Sequence, residues 1–348
     1  MLRGVGKRRP IRTENDTRTT DSFSGFKGLS EMSAGAMTTF TLAPRYGMPA
    51  TLVLEETRSL LSSNGITHML SLKDNCKKTI VLEAENGPLS NGNVSSHLSR
   101  VVSACVYMSG RSRIVNTTLL AMEPNKTYAP LFDMEGKVRQ LYRPTDLAGA
   151  TGAKYAALMV NLLDVKPNSR IIVPTGGYLF ETIAGALCGH RVFVGDISPW
   201  VKTGREKIRL YTGDSTLELS ASDSSTIRNS ILEHKAMGIP LERLRNISFS
   251  RWNAVHLPFR NGTFEGSMFD PPFGKATQLR GTASERPVEA AVEFLHEAAR
   301  VTKRGGPIVM RIPEKWEGDI SNGARGLSLV GTFNIPKDGM TLIKFRKE

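Results

Sequence analysis

From Ala153 to the C-terminus the chain alternates helical and strand-like apolar patterns with a regularity absent from its first half. Parallel neighbours in a sheet need crossover connections, so this alternation calls for a mostly parallel sheet covered by helices on both faces. A helix over Ala153–Leu163 leads into strand Arg170–Val173, then Pro174-Thr175-Gly176-Gly177, then an apolar helix through Leu187. Strand Arg191–Gly195 ends at Asp196, and helices are predicted near Val201–Tyr211 and Thr226–Met237. Strands Ile247–Arg251 and Gly266–Phe269 follow. Pro287 opens a helix whose face is Val288, Ala291, Val292, Leu295 and Ala299, closed by Gly305-Gly306. Strands Pro307–Ile312, Ser328–Asn334 and Thr341–Phe345 complete a seven-stranded sheet, so the expected class is α/β, Rossmann-like, over residues 153–348.

The first half reads differently. Residues 1–36 are rich in Arg, Ser, Thr and Gly without periodicity and are expected to form a disordered basic tail. Strand Thr39–Ala43, helix Ala50–Ser62 ending at Asn64-Gly65, strand Thr79–Glu83 and helix Val94–Met108 suggest a small α+β domain over 37–130. The predicted second helix would carry Leu98, Val101, Val102, Cys105 and Val106 on one stripe. Residues 131–152 read as a connector.

Composition narrows the partners. The formal charge of +13, from 46 Lys+Arg against 33 Asp+Glu, attracts polyanions, so nucleic acid leads over other ligands. Cys76, Cys105 and Cys188 stand far apart with no Cys-x-x-Cys pair, which argues against a zinc knuckle or a disulfide framework and favours a reducing compartment. No apolar run approaches the ~20 residues that cross a bilayer, and no membrane partner is expected. A cytoplasmic location is the first expectation. Arg3, Lys7, Arg8, Arg9 and Arg12 without an acid make a mitochondrial transit peptide the alternative, although Gly4, Gly6 and Pro10 oppose the amphipathic helix it needs.

The chemistry concentrates in Asp270-Pro271-Pro272-Phe273-Gly274, directly after an apolar strand, at the edge where doubly wound sheets bind ligands. Two prolines stiffen the turn, the Asp accepts hydrogen bonds from an amino group, and the aromatic ring offers a stacking face to a splayed base. Read alone, the same pentapeptide is a loop that simply terminates a strand. Its context adds Pro174, Thr175, Gly176 and Gly177 between strand and helix, where glycines let backbone amides approach a ligand. Asp196, with Ile197 after it, ends the next strand about twenty residues on, the spacing at which an acid reaches a ribose hydroxyl pair. Together these describe a nucleoside-bearing cofactor site. The six histidines are scattered, and no metal or histidine catalyst is assigned.

Lys154-Tyr-Ala-Ala-Leu-Met-Val-Asn-Leu162, Val165-Lys-Pro-Asn-Ser-Arg-Ile-Ile172, Asp196-Ile-Ser and Leu257-Pro-Phe-Arg-Asn-Gly-Thr-Phe264 lie in order around the Asp-Pro-Pro-Phe-Gly turn. With Ala298–Gly306 they resemble the THUMP-associated tRNA guanine-N2-methyltransferases, class I enzymes that use S-adenosylmethionine. The resemblance implies that Thr175, Gly176 and Gly177 line the methionine moiety, Asp196 holds the ribose, and Asn253 and Ala254 flank the adenine. It implies that Asp270 orients the target amine, the Pro271 carbonyl accepts a second hydrogen bond and Phe273 stacks on the base. Lys275 and Arg280 are candidate phosphate contacts, though a solvated charge is the first reading of each. RNA, above all tRNA, is the implied substrate, and the resemblance allows a small activating protein subunit as a further partner.

Three departures keep other readings open. Val173 stands where the family places an acid before a longer Asp-Pro-x-x-Gly-Thr-Gly-Gly turn, and Asn253 stands where Asp is usual. Residues 37–130 are short for the usual accessory pair and read as a reduced ferredoxin-like or THUMP-like module. Beside guanosine-N2 methylation stand adenine-N6 methylation of RNA or DNA, which uses similar Pro-Pro-aromatic turns, and a silent RNA-binding assembly factor on the same fold.

Overall fold

The structure, a computed structural model, describes residues 37–44, 48–66, 68–73, 79–85, 100–101, 103–106, 112–115, 117–120, 152–177, 179–197, 240–273, 286–335 and 338–348. The basic tail, most of the connector, the helices expected near 201–211 and 226–237, and Lys275 and Arg280 lie outside these residues.

The first half contributes β1 (Met37–Pro44), α1 (Ala50–Ser63), β2 (His68–Lys73), β3 (Thr79–Glu85), β4 (Ala104–Val106), β5 (Ser112–Val115) and β6 (Thr117–Leu120). They form one sheet in the order β2-β3-β1-β6-β5, with β4 also paired to β1. β1 is its hub, antiparallel to β3 and β4 and parallel to β6. The helix expected over Val94–Met108 is corrected at Ala104–Val106, which is strand and pairs antiparallel with Leu42–Pro44, while residues 94–99, 102, 107 and 108 lie outside the described residues. Short apolar runs fit helix and strand periods alike, and pairing with β1 decides between them.

The second half contributes α2 (Ala153–Leu162), β7 (Arg170–Val173), α3 (Phe180–Leu187), β8 (Arg191–Asp196), β9 (Ile247–Arg251), β10 (Gly266–Phe269), α4 (Pro287–Val301), β11 (Pro307–Pro313), α5 (Glu317–Gly323), β12 (Leu327–Ile335) and β13 (Met340–Lys347). The sheet order is β12-β13-β11-β10-β7-β8-β9. Strands β9 to β11 run parallel through β8, β7 and β10, and β13 is antiparallel to both β11 and β12. This is a mostly parallel, Rossmann-like α/β arrangement, as the helix–strand alternation led one to expect.

Core packing follows from the apolar faces. The α4 side chains Ala290, Ala291, Phe294, Leu295 and Ala298 lie in one buried cluster with Phe269, Ile308, Met310 and Ile312 of the sheet. Burying a side chain such as Phe269, which has 0% exposure, contributes about 1.5–3 kcal/mol relative to leaving it in water. On α3, Gly185 permits close approach to the sheet, since a Cβ there would stand 2.9 Å from Ile171 Cδ1 and 3.0 Å from Val192 Cγ2.

Helix α1 belongs to two cores. Val53, Leu60 and Leu61 pack with Leu42 and Leu82 of the first sheet, whereas Leu52 joins the cluster of α2 and the second sheet. Its adjacent acids are both buried. Glu55 accepts a 2.7 Å hydrogen bond from Lys344 on β13. Glu56 accepts from the Ser103 amide at 2.9 Å, from the Ser103 hydroxyl, and from Asn161 Nδ2 on α2 at 2.7 Å.

Candidate active site at the carboxyl edge of the second sheet

The chain leaves β7 toward β8 on one side and, after β9, returns to β10 on the other. The loops after β7 and β10 therefore diverge at the carboxyl edge, the usual ligand site of such sheets. Across it the Thr175 hydroxyl donates a 3.1 Å hydrogen bond to the main-chain carbonyl of Asp270. The glycine turn and the Asp-Pro-Pro-Phe turn are thereby held together.

The glycine turn is fixed by the backbone. Trp252 Nε1 donates to the Pro174 carbonyl at 2.8 Å, and the Gly176 amide donates to the Gly195 carbonyl at 2.8 Å. Gly176 serves the contact with β8: a Cβ there would lie 2.5 Å from Val194 Cγ2 and 3.1 Å from the Gly195 carbonyl oxygen. Gly177 differs, with a φ of +41°, an exposed backbone and open space where a Cβ would stand. Its amide donates to Asp196 Oδ2 at 3.0 Å, so the acid at the end of β8 and the turn after β7 face one another. Leu179, also in the left-handed region at φ +67°, ends the turn before α3 begins.

Asn253 and Ala254 follow β9. The Asn253 carboxamide oxygen accepts from the Val255 amide at 3.2 Å, while Ala254 is buried in the cluster that contains Phe269. Ile197 is half-buried, and its carbonyl accepts from Arg251 Nε at 3.3 Å. Val173 is fully buried and brings no carboxylate to the end of β7.

At the end of β10, Asp270 Oδ2 lies 3.0 Å from Arg311 Nη2, and each side chain is only 8% exposed. Sheet register explains the meeting, because Phe269 pairs with Met310 on the parallel neighbour and the next residues stand side by side. The guanidinium carbon of Arg311 is 4.9 Å from the Tyr155 ring centroid and 5.6 Å from that of Phe273. Phe273 meets Trp316 edge-on at 5.6 Å, after a buried Pro271 and a half-buried Pro272. The Tyr155 hydroxyl donates to Asp338 Oδ2, which Lys154 Nζ approaches at 2.9 Å. Burial first, and then the bond to Asp338, push the Tyr155 hydroxyl above the ordinary tyrosine range. The bonds from Tyr155 and Lys154 hold Asp338 below the ordinary carboxylate range.

The structure thus brings Pro174–Gly177, Asp196 and Asp270–Phe273 to one edge of the sheet. Arg311, Tyr155, Trp316 and Asp338 were not anticipated from the sequence. One signal was available: Arg311 interrupts Pro307-Ile-Val-Met-Arg-Ile-Pro313, a strand otherwise apolar and covered on both faces.

No family model matches the chain. Over 176 residues it is 31% identical to the tRNA (guanine(10)-N2)-dimethyltransferase of Methanothermobacter thermautotrophicus, a match that covers 49% of this chain and 41% of that protein. The chain therefore spans about two fifths of the length of that curated relative. Among solved structures, TrmN from Thermus thermophilus is similar at 13% identity and a TM-score of 0.46, with 89% of this chain and 100% of that chain covered. A methyltransferase from Pyrococcus furiosus is similar at 16% identity and a TM-score of 0.38, over 59% of this chain and 87% of that chain.

Proposed function

We propose that this chain is an S-adenosylmethionine-dependent RNA methyltransferase that modifies the exocyclic N2 of a guanosine in tRNA. The observation that carries the reading is the 3.1 Å bond from Thr175 to the Asp270 carbonyl, which joins the cofactor turn to the amine-binding turn at the carboxyl edge of the sheet. The resemblance to a tRNA guanine-N2 enzyme at 31% identity supports the same reaction and substrate class.

The residues fit the nucleoside part of the cofactor. Asp196 stands at the end of β8 with the Gly177 amide beside it, and Gly177 opens onto unfilled space. Asp196 would hold the ribose hydroxyls, Gly177 and Thr175 would line the chain beyond, and Asn253 and Ala254 would flank the adenine. When bound, S-adenosylmethionine supplies a methyl group on a sulfonium. The protein's contribution is alignment: Asp270 accepts a hydrogen bond from the target amine, the Pro271 carbonyl accepts a second, and Phe273 stacks on the base. A carboxylate at that place also stabilises positive charge developing on the nitrogen. Lys275 and Arg280, a few residues beyond the turn, are proposed to meet phosphate.

Val173 favours a second reading. An apolar, fully buried residue ends β7 where an acid would face the cofactor's ammonium, and a silent RNA-binding scaffold on this fold needs no such acid. Calorimetry with S-adenosylmethionine separates the two, since heat of binding supports the enzyme. RNA binding without heat at millimolar cofactor supports the scaffold. Nucleoside mass spectrometry of tRNA treated with the purified chain then names the product: N2-methylguanosine sustains the proposal, and N6-methyladenosine replaces it.

A further inference from the structure

Strand β11 carries one charge among apolar neighbours. Ile308, Val309, Met310 and Ile312 are all fully buried, and Arg311 is buried with them. Taking a guanidinium out of water costs several kcal/mol even when it is paired, and an apolar side chain of similar volume is commonly at least as stable there. Stability therefore gives no reason for an arginine at this place, and its contacts suggest another.

Those contacts join groups from four parts of the chain. Arg311 pairs with Asp270 at 3.0 Å and lies against the rings of Phe273 and Tyr155. The Tyr155 hydroxyl is bound to Asp338, in the turn between β12 and β13, and Lys154 holds the same Asp338 oxygen. We infer that Arg311 is a positioning residue that fixes the Asp270 carboxylate and the Phe273 ring relative to each other, with Tyr155 and Asp338 as its backing. The inference rests on the proposed base-methylating reading of this site.

The physical case has two parts. A planar guanidinium offers donors in its own plane and π contacts to rings, so one group can hold a carboxylate and rings together, which an ammonium does poorly. Phe273 follows two prolines that limit the turn but do not set the ring's χ angles. Contacts with Arg311 and Trp316 supply that constraint. If the amine is bound by Asp270 and the base by Phe273, then the relation between the two decides how the nitrogen presents itself, and small misplacements cost rate rather than binding.

The experiment uses the full chain with tRNA and S-adenosylmethionine, comparing Arg311→Lys and Tyr155→Phe with the wild type. Arg311→Lys keeps the charge and loses the planar fork, and its kcat should fall about 10- to 100-fold while KM for RNA moves by less than about threefold. Its Kd for S-adenosylmethionine should match the wild type, since Arg311 is not among the proposed cofactor contacts. Tyr155→Phe keeps the ring and loses the bond to Asp338, and its kcat should fall about 3- to 10-fold with the same pattern. Thermal unfolding checks both variants, and if Arg311→Lys does not fold, Tyr155→Phe decides the matter. Wild-type kcat in the folded variants, or a fall carried only by KM, overturns the inference and leaves the methylation reading standing. A wild-type chain that transfers no methyl group to RNA overturns both.

Discussion

The Asp270 carboxylate and the Arg311 guanidinium neutralise each other at 3.0 Å with both side chains 8% exposed. Removing one partner of such a pair leaves the other charged and buried. Asp270→Ala should therefore lose about 3–5 kcal/mol of stability along with activity, and it does not by itself test a catalytic role. The double substitution Asp270→Ala with Arg311→Met should recover most of that stability and none of the turnover. Urea unfolding of the two variants measures the recovery. Equal stabilities would show that the pair is not coupled.

The two turn glycines should respond differently. Gly176→Ala pushes a Cβ against Val194 and the Gly195 carbonyl, and such overpacking costs about 1–3 kcal/mol. Gly177→Ala meets no atom within 4 Å and bears only the left-handed penalty of roughly 1–2 kcal/mol. If Gly177 lines the cofactor, Gly177→Ala should weaken S-adenosylmethionine binding out of proportion to its stability loss. Thermal unfolding and calorimetry on both variants check this. The reverse ranking of binding losses would move the cofactor contact to Gly176.

A buried histidine makes stability depend on pH. Burial first, with Arg100 nearby, pushes His190 from 6.5 down to about 4. Between those values the unfolded chain binds a proton that the folded chain refuses. The stabilisation is complete above about pH 6.5 and is lost as pH falls toward 4, with a change of about 2 kcal/mol between pH 7 and pH 5. His190→Gln should remove this component, so the difference between wild type and variant in urea unfolding should shift by about that amount over the same interval. Parallel pH profiles would show that His190 is accessible to protons in the folded state.

RNA affinity should fall steeply with salt. Counterion release gives a log–log slope of about −0.9 for each phosphate neutralised on a duplex and about −0.7 on a single strand. With a formal charge of +13, a slope steeper than about −3 is expected in a titration of tRNA binding. A flat response would redirect attention to a small or uncharged substrate.

How much of this was legible follows residue by residue. Strands Ile247–Arg251 and Gly266–Phe269 and the start of α4 at Pro287 lie where the sequence places them. There, the apolar–polar alternation of Ile247-Ser-Phe-Ser-Arg251, a short segment running straight into the Asp-Pro-Pro turn, and a proline at a helix start leave little ambiguity. β2, β5 and β6 were not anticipated. Ser112–Val115 and Thr117–Leu120 are four residues each, and only their pairing makes them strands. At the site, Asp196 and the Asp-Pro-Pro-Phe turn were visible because their spacing is local. The partners Tyr155 and Asp338 are separated by 183 positions, and no pattern in a single sequence links them.

Helix α1 has a consequence for how this protein can be taken apart. It fills the first core with Val53, Leu60 and Leu61, while Leu52 and Glu55 serve the second half, Glu55 as the partner of a Lys344 that is 1% exposed. A fragment beginning at Gly152 would keep Lys344 without its acid and expose the apolar seat of Leu52. The boundary drawn by chain order is thus not a seam along which modules can be exchanged. Any recombinant that gives this sheet a new N-terminal partner must carry over a helix with an acid at the place of Glu55, or replace Lys344 as well.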